Sequence, residues 1–373
     1  MLSTAMSYRL IARDIDKSLD RVGNQAAVKR ETAYFEANIG KVKSVDEFLG
    51  NTRLFNYAMK AFGLSDMAYA KGFMKKVLTE GVTASDSFAN KLTDKRYAEF
   101  AKAFDFVTHG EQTTSFNAAL DGTTNNYIAR ATGNGILKVS EAVRQETAYF
   151  SENIVKVESI DDFLGDQRLV DYALRAFRVD DLELSRAELM KILEGGVTDP
   201  DSPANKHADE NVAKFAKAFD FATLGEKTTT YVAPRDITVA GYMRQTLEEN
   251  AGADNEGVRL ALYFQRKAPQ ITSFYQILGD TALAAVVRTA LGFPDSFAQA
   301  DIDRQVSAME QRLDLEDFTD PEKLGKFISR FSAMWDVNTN AAAATSPALA
   351  LISGSASFGI SGDTLMAIAT LKK

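Results

Sequence analysis

The octapeptide Val28-Lys29-Arg30-Glu31-Thr32-Ala33-Tyr34-Phe35 returns as Val143-Arg144-Gln145-Glu146-Thr147-Ala148-Tyr149-Phe150, an offset of 115 residues. The match continues without a gap to Thr114 and Thr229, with about half the positions identical. A repeat of this length means that one structural unit is built twice, and its period must be settled before any local reading. At an offset of 229, Tyr263-Phe264 aligns with Tyr34-Phe35, and Leu278-Gly279-Asp280 with Leu49-Gly50-Asn51. Ala290-Leu291-Gly292 aligns with Ala61-Phe62-Gly63 at the same offset. The spacing therefore predicts a third, diverged copy.

Within a copy the apolar residues follow helical periodicity. Leu54, Tyr57, Ala58, Ala61 and Phe62 fall on one face, and Leu169, Tyr172, Ala173, Ala176 and Phe177 answer them. Phe100, Ala103 and Phe104 form a second stripe, whose seven-residue setting recurs from Phe215 to Phe221. Phe327 to Phe331 answers it in the third copy. Ile302, Val306, Met309 and Leu313 keep helical spacing there. Ser44 and Glu47 have the spacing of a capping box, with Ser159 and Asp162 as the shortened counterpart. Ser65 is placed to cap a helix ending near Gly81, and Gly81 and Gly196 stand where helix C-termini prefer glycine. Alternating, strand-like patterning is not sustained. The expected fold is all-α, with three related helical units in tandem.

The chain divides accordingly. Residues 1–27 read as one amphipathic segment through Leu10, Ile11, Ile15, Leu19 and Val22. Unit 1 spans 28–114, a connector 115–142, unit 2 143–229 and unit 3 230–336. Tyr127-Ile128-Ala129-Arg130 is placed to begin a helix leading into unit 2. Residues 337–373 read as a flexible tail of small residues ending in a short helix. There Leu365, Ile368 and Leu371 line one face as a candidate partner-docking element. Tyr34, Tyr149 and Tyr263 are expected to be buried at equivalent places.

Chemistry is harder to find. With no cysteine, disulfides, cysteine–zinc sites and thiol nucleophiles are out. The same absence is read first as chance in an intracellular protein, and second as suiting a protein that meets an oxidising exterior without a classical signal. A net charge of −8 argues against general affinity for nucleic acid or anionic membranes. No run approaches the ~18 apolar residues of a membrane span, and the first residues lack the pattern of a signal peptide. The two histidines, His109 and His207, occupy non-equivalent repeat positions, which disfavours a metal pair built on the repeat. Asp161, Asp162, Asp166, Asp180 and Asp181 suit capping and solvated helix faces. Asp199, Asp201, Asp209 and Glu210 come nearest to a calcium loop but lack its glycine. Asn38/Asn153, Arg53/Arg168, Asp86/Asp201, Asn90/Asn205 and Asp105/Asp220 are identical in both copies, as caps and inter-helix bonds would be. The glycine signatures of phosphate loops, dinucleotide folds and nucleophile elbows are missing. No catalytic residue, metal or cofactor is expected.

Three stretches of unit 3 carry a resemblance. They are Gly241 to Glu248, Asn255 to Phe264, and Leu313 to Phe318 followed by Asp320 to Leu324. With Gly359 to Met366 near the C-terminus, they resemble an uncharacterised family of alphaproteobacterial proteins whose genes lie among flagellar genes. The resemblance implies a helical fold and a flagellar association, and it transfers no functional residue. The expected role is that of a non-enzymatic structural component or assembly factor, at the flagellum or in the cytoplasm, with protein partners. A cytoplasmic helical-repeat binding or chaperone-like module is the alternative. An enzyme ranks last.

Overall fold

The structure, a computed structural model, describes residues 3–135 and 137–344. These form helices and turns, with no strand among them. Leu365, Ile368 and Leu371 lie outside the described residues.

The N-terminal segment holds α1 (Thr4–Ala12) and α2 (Ile15–Gly23). The first repeat follows as α3 (Ala26–Ile39), α4 (Val45–Gly50), α5 (Thr52–Ala61) and α6 (Lys71–Glu80). It closes with α7 (Phe88–Lys91), α8 (Arg96–Ala103) and α9 (Phe106–His109). Helix α10 (Thr123–Ala131) comes next. The second repeat begins with α11 (Glu141–Ile154), α12 (Ile160–Gly165), α13 (Gln167–Phe177) and α14 (Arg186–Gly195). It ends with α15 (Pro203–Lys206), α16 (Glu210–Ala218) and α17 (Phe221–Leu224). Then come α18 (Ala233–Asp254), α19 (Glu256–Lys267), α20 (Phe274–Leu278) and α21 (Thr281–Leu291). The described chain ends with α22 (Ile302–Glu310) and α23 (Pro321–Ala344).

Two compact bodies result. Residues 25–243, the central body, hold both well-matched repeats and the first part of α18. The terminal body holds the N-terminal segment and the chain from Arg244 onward.

The central body repeats its elements one for one. Its core is phenylalanine-rich: Phe35, Phe48, Phe55, Phe100 and Phe104 are fully buried in the first repeat. Phe150, Phe163, Phe215 and Phe219 answer in the second. Phe48 lies 4.6 Å from Phe104, and Phe163 lies 4.7 Å from Phe219, both pairs stacked. These contacts hold the short helix α4 or α12 on the closing stripe, adding about 1 kcal/mol each beyond area burial. Phe55 and Val170 differ between repeats yet are both buried, so the packed face is wider than the invariant positions.

Several local expectations are corrected. The segment 1–27 is two helices and the start of α3, its first break falling where Asp14 caps α2 by accepting from the Lys17 N–H at 3.1 Å. Leu10 is exposed. Ser44 caps α4, but Glu47 reaches past it to the N–H of Lys43 at 2.8 Å. The reciprocal box forms instead at Ser185 and Glu188, heading α14. Ser65 opens a short 3-10 turn, and α6 starts at Lys71 without a side-chain cap. Tyr127 sits in the middle of α10, not at its start, because a π turn over Ala118–Gly122 begins the helix earlier. In the third copy Ile302 is exposed and Leu313 lies beyond α22. Small residues favour helix when alanines predominate, and α23 runs through residues 337–344.

The terminal body packs α1 against α19 and α23. The Thr4 N–H donates to both carboxylate oxygens of Asp336, at 3.2 and 3.1 Å, and Asn255 Nδ2 donates to Thr4 Oγ1 at 2.9 Å. Trp335 lies so close to Gly257 that an added Cβ would come within 2.4 Å of its indole.

Gly81 ends α6 at φ +61°, and a Cβ there would sit 2.8 Å from Val107 Cγ2 on α9. Gly110 has φ +53° but open space. Left-handed strain costs a non-glycine residue about 1–3 kcal/mol, and the collision adds to it only at Gly81. Gly81→Ala should therefore lower the denaturation midpoint more than Gly110→Ala, as urea titration of the two variants would show.

Candidate functional site: ring stacks, polar pins and two clefts

The helix that leaves each repeat covers the other repeat. Helix α10 follows the first repeat and packs along α13 of the second, where the Tyr127 and Tyr172 rings stack at 3.8 Å. Helix α18 follows the second repeat, and its Tyr242 stacks on Tyr57 of α5 at 3.9 Å. Each stack gains a third ring: Phe150 lies 4.4 Å from Tyr172, and Phe35 lies 4.5 Å from Tyr57. Tyr127 and Tyr242 are themselves 115 residues apart, as are Asp121/Asp236 and Thr123/Thr238. Asp121 Oδ2 accepts from the Asn117 N–H at 2.8 Å, and Asp236 Oδ2 from the Val232 N–H at 2.7 Å. The repeat thus extends past Thr114 and Thr229 into the connector. Sparse identity hides it in sequence, and the signal was the shared offset of a few residues. Asn117 ties the two exchanges together by donating to the carbonyls of Thr228 (3.2 Å) and Tyr231 (2.8 Å).

The repeated polar residues are structural pins. Asn38 and Asn153 each donate to the carbonyl of the tyrosine one turn earlier at 2.8 Å. Asn90 holds Val82 and Ala84 carbonyls, and Asn205 holds those of Val197 and Asp199. Asp105 and Asp220 cap α9 and α17. Arg53 pairs with Glu31, and Arg168 with Glu146, each at 2.9 Å while lying 3.8 Å over Tyr34 or Tyr149. Those guanidiniums hold the Glu31 and Glu146 carboxyls below their usual range.

Tyr34 and Tyr149 are half-buried rather than buried, and only Tyr263 is enclosed. The following phenylalanine takes the core position. The tyrosines instead reach the residue that caps the next helix. Tyr149 OH donates to Asp166 Oδ2 at 2.7 Å, Tyr263 OH donates to Asp280 Oδ2 at 2.5 Å, and Asn51 Nδ2 donates to Tyr34 OH at 3.4 Å.

His109 stacks on Phe116 at 4.1 Å, and His207 Nδ1 accepts from the Asp209 N–H at 3.1 Å; both are half-buried. Among the described residues no group of three or more His, Asp or Glu side chains is placed to hold a metal. No described helix is long and apolar enough to cross a membrane. The acidic residues nearest to a calcium loop cap α16 (Asp209) or pair with Lys206 and Lys214 (Asp201, Glu210).

Two clefts remain. In the central body a cleft of about 470 Å³ is lined by Glu31, Arg53, Asn56, Tyr57, Lys60 and Tyr242. In the terminal body a more enclosed groove of about 430 Å³ runs between α21 and α22, over Leu278, Ala284, Phe297, Ile302 and Met309. Arg288 and Gln305 add its polar lining. The terminal body also buries a charge. Glu248 is 1% exposed and accepts from Arg244 at 2.9 Å and from Arg266 at 2.9 and 2.8 Å. Arg244 also donates to the Leu262 carbonyl at 3.1 Å.

The elements define an all-α protein assembled from an internally repeated helical module. The chain belongs to the family described as "Protein of unknown function (DUF1217)", which matches residues 61–181 and again 176–324. The second match begins 115 residues after the first, the period of the repeat itself. The chain is also similar to an Agrobacterium tumefaciens protein solved by X-ray crystallography. They share 34% identity over 91% of this chain and 97% of that one, with a TM-score of 0.53. Among curated proteins, none matches this sequence.

Burial raises the hydroxyl pKa of Tyr57 and Tyr172 above the ordinary value near 10. A raised folded-state pKa contributes stability that is complete below pH ~10 and lost as pH climbs through the folded value. Stability should therefore fall above pH ~10, and Tyr57→Phe with Tyr172→Phe should flatten that fall while costing about 1 kcal/mol per lost hydroxyl bond at neutral pH. Denaturant titration across pH 8–11 checks both signs.

Removing Glu248 leaves two guanidiniums facing each other without their shared carboxylate. Glu248→Ala is expected to cost about 3–5 kcal/mol, measurable by differential scanning calorimetry, whereas truncating the exposed Glu322 should change little.

Proposed function

We propose that this chain is a non-enzymatic, flagellum-associated protein, a structural component or assembly factor that acts through contacts with other proteins. The observation that carries the reading is the use made of the duplicated polar residues. Caps, carbonyl pins and ion pairs occupy four of the five pairs in both repeats, which supports a repeated body that is a scaffold, with the parts outside the repeat free to diverge toward partners. The flagellar element rests on the sequence resemblance of residues 241–248, 255–264 and 313–324. The tail residues Leu365, Ile368 and Leu371 supply a spacing suited to helix docking.

A cytoplasmic module that holds a partner helix is a second reading. The apolar groove between α21 and α22 favours it, since amphipathic helices dock in grooves of this kind.

A clean deletion in the source bacterium separates the proposals. Reduced motility with incomplete filaments is expected, and normal swimming with normal filaments would remove the flagellar reading. Immunoblotting purified hook–basal bodies then distinguishes a component, retained there, from a factor found only in the soluble fraction.

A further inference from the structure

Among the described residues the third repeat lacks a cover that the first two supply from their own chain. In the first repeat α6 is surrounded by α4, α7, α8 and α9; in the second, α14 is surrounded by α12, α15, α16 and α17. The last of these arises in the same way each time. After the phenylalanine stripe the chain turns at Asp105 or Asp220 and folds back as a one-turn helix. The return is tight: the ideal Cβ at Gly81 or Gly196 would lie 2.8 Å from Val107 or 2.7 Å from Ala222. The counterpart in the third repeat, α22, packs chiefly on α20. Past Phe331 the chain does not turn back but continues as α23 to Ala344. Beside the gap one core side chain shrinks and another becomes charged. The position of fully buried Phe55 is Ala284, and that of Met59 is Arg288. The result is the groove over Leu278, Phe297, Ile302 and Met309, with Ile302 57% exposed at its rim.

We propose that residues 345–373 of the same chain seat in this groove, giving α22 the cover that α9 and α17 give α6 and α14. The segment begins where the described chain ends, on the helix that forms one wall of this body. Its twenty residues before Leu365 can span up to ~66 Å at ~3.3 Å each, ample for any point on the body. Leu365, Ile368 and Leu371, at i, i+3 and i+6, supply apolar groups for an apolar trough. The inference leaves the flagellar association itself untouched, but it assigns Leu365, Ile368 and Leu371 to the chain's own groove instead of a partner's and fills the groove that the second reading gives to a partner helix.

The test uses the full-length chain, whose lack of cysteine allows clean labelling. Ala298→Cys on the exposed rim and Ala367→Cys carry a pair of spin labels. A single narrow, short distance in dilute solution is expected. Either Ile368→Asp or Ile302→Asp should broaden it. Ile302 is exposed, so that variant keeps the fold, which circular dichroism would verify. Hydrogen exchange of the α22 amides should speed up about tenfold in both variants, as expected for the loss of a docked cover. A broad distance distribution in the parent, or α22 exchange that neither substitution changes, would overturn the proposal. A short distance seen only between singly labelled molecules mixed together would also overturn it, in favour of a second copy as the occupant.

Discussion

The central body depends on stacked rings between helices that are distant in sequence. Tyr242 on Tyr57, backed by Phe35, and Tyr127 on Tyr172, backed by Phe150, hold the two exchanged helices in place. One hydroxyl–hydroxyl bond in each repeat, Thr32 with Tyr57 and Thr147 with Tyr172, both 2.9 Å, anchors the central ring of the stack. Neither repeat finishes its own surface. Each finishes the other's, which is the arrangement of a domain-swapped dimer written into one polypeptide.

The third repeat shows what survives when that arrangement is absent. Its equivalents of Thr32 and Tyr57 are Ala261 and Val286, both fully buried, so a hydrogen-bonded pair has become an apolar contact. Replacing both partners together avoids leaving a buried hydroxyl unpaired, the one substitution pattern that costs little. The tyrosine-to-cap bond persists through all three copies as Tyr34–Asn51, Tyr149–Asp166 and Tyr263–Asp280. It links the first long helix of each unit to the start of the third, and so sets the angle at which the unit's apolar faces meet. Terminal-body stability draws instead on Glu248 between two arginines and on Asp336 at the start of α1, polar devices that the repeats do not contain.

Much of this was legible in sequence because helical periodicity and repetition are both local or near-local signals. The Leu54–Phe62 and Phe100–Phe104 stripes, the glycine ends of α6 and α14, and the capping roles of the aspartates all follow from spacing. What escaped was long-range. The connector looks like linker because only Ala118, Asp121, Thr123 and Tyr127 mark it as part of the repeat, and the ring that Tyr127 stacks on lies in a different copy. Glu248, Arg244 and Arg266 gave no sign of burial, since charged residues at i and i+4 on a helix are usually a solvated pair. The tyrosines of the opening motif were mistaken for core because recurrence marks constraint of any kind, and here the constraint is a hydrogen bond at a half-buried edge.

The exchange of helices also imposes an order on synthesis. The face of Tyr57 is complete only once Tyr242 exists, 242 − 57 = 185 residues later. At about 5–20 residues per second that is about ten to forty seconds during which a nascent first repeat emerges from the ribosome with an aromatic surface uncovered. The second repeat has no such delay, because α10 is made before α13. The two halves of one internal duplication therefore differ in their exposure to chaperones and to neighbouring chains, although their finished cores are nearly the same.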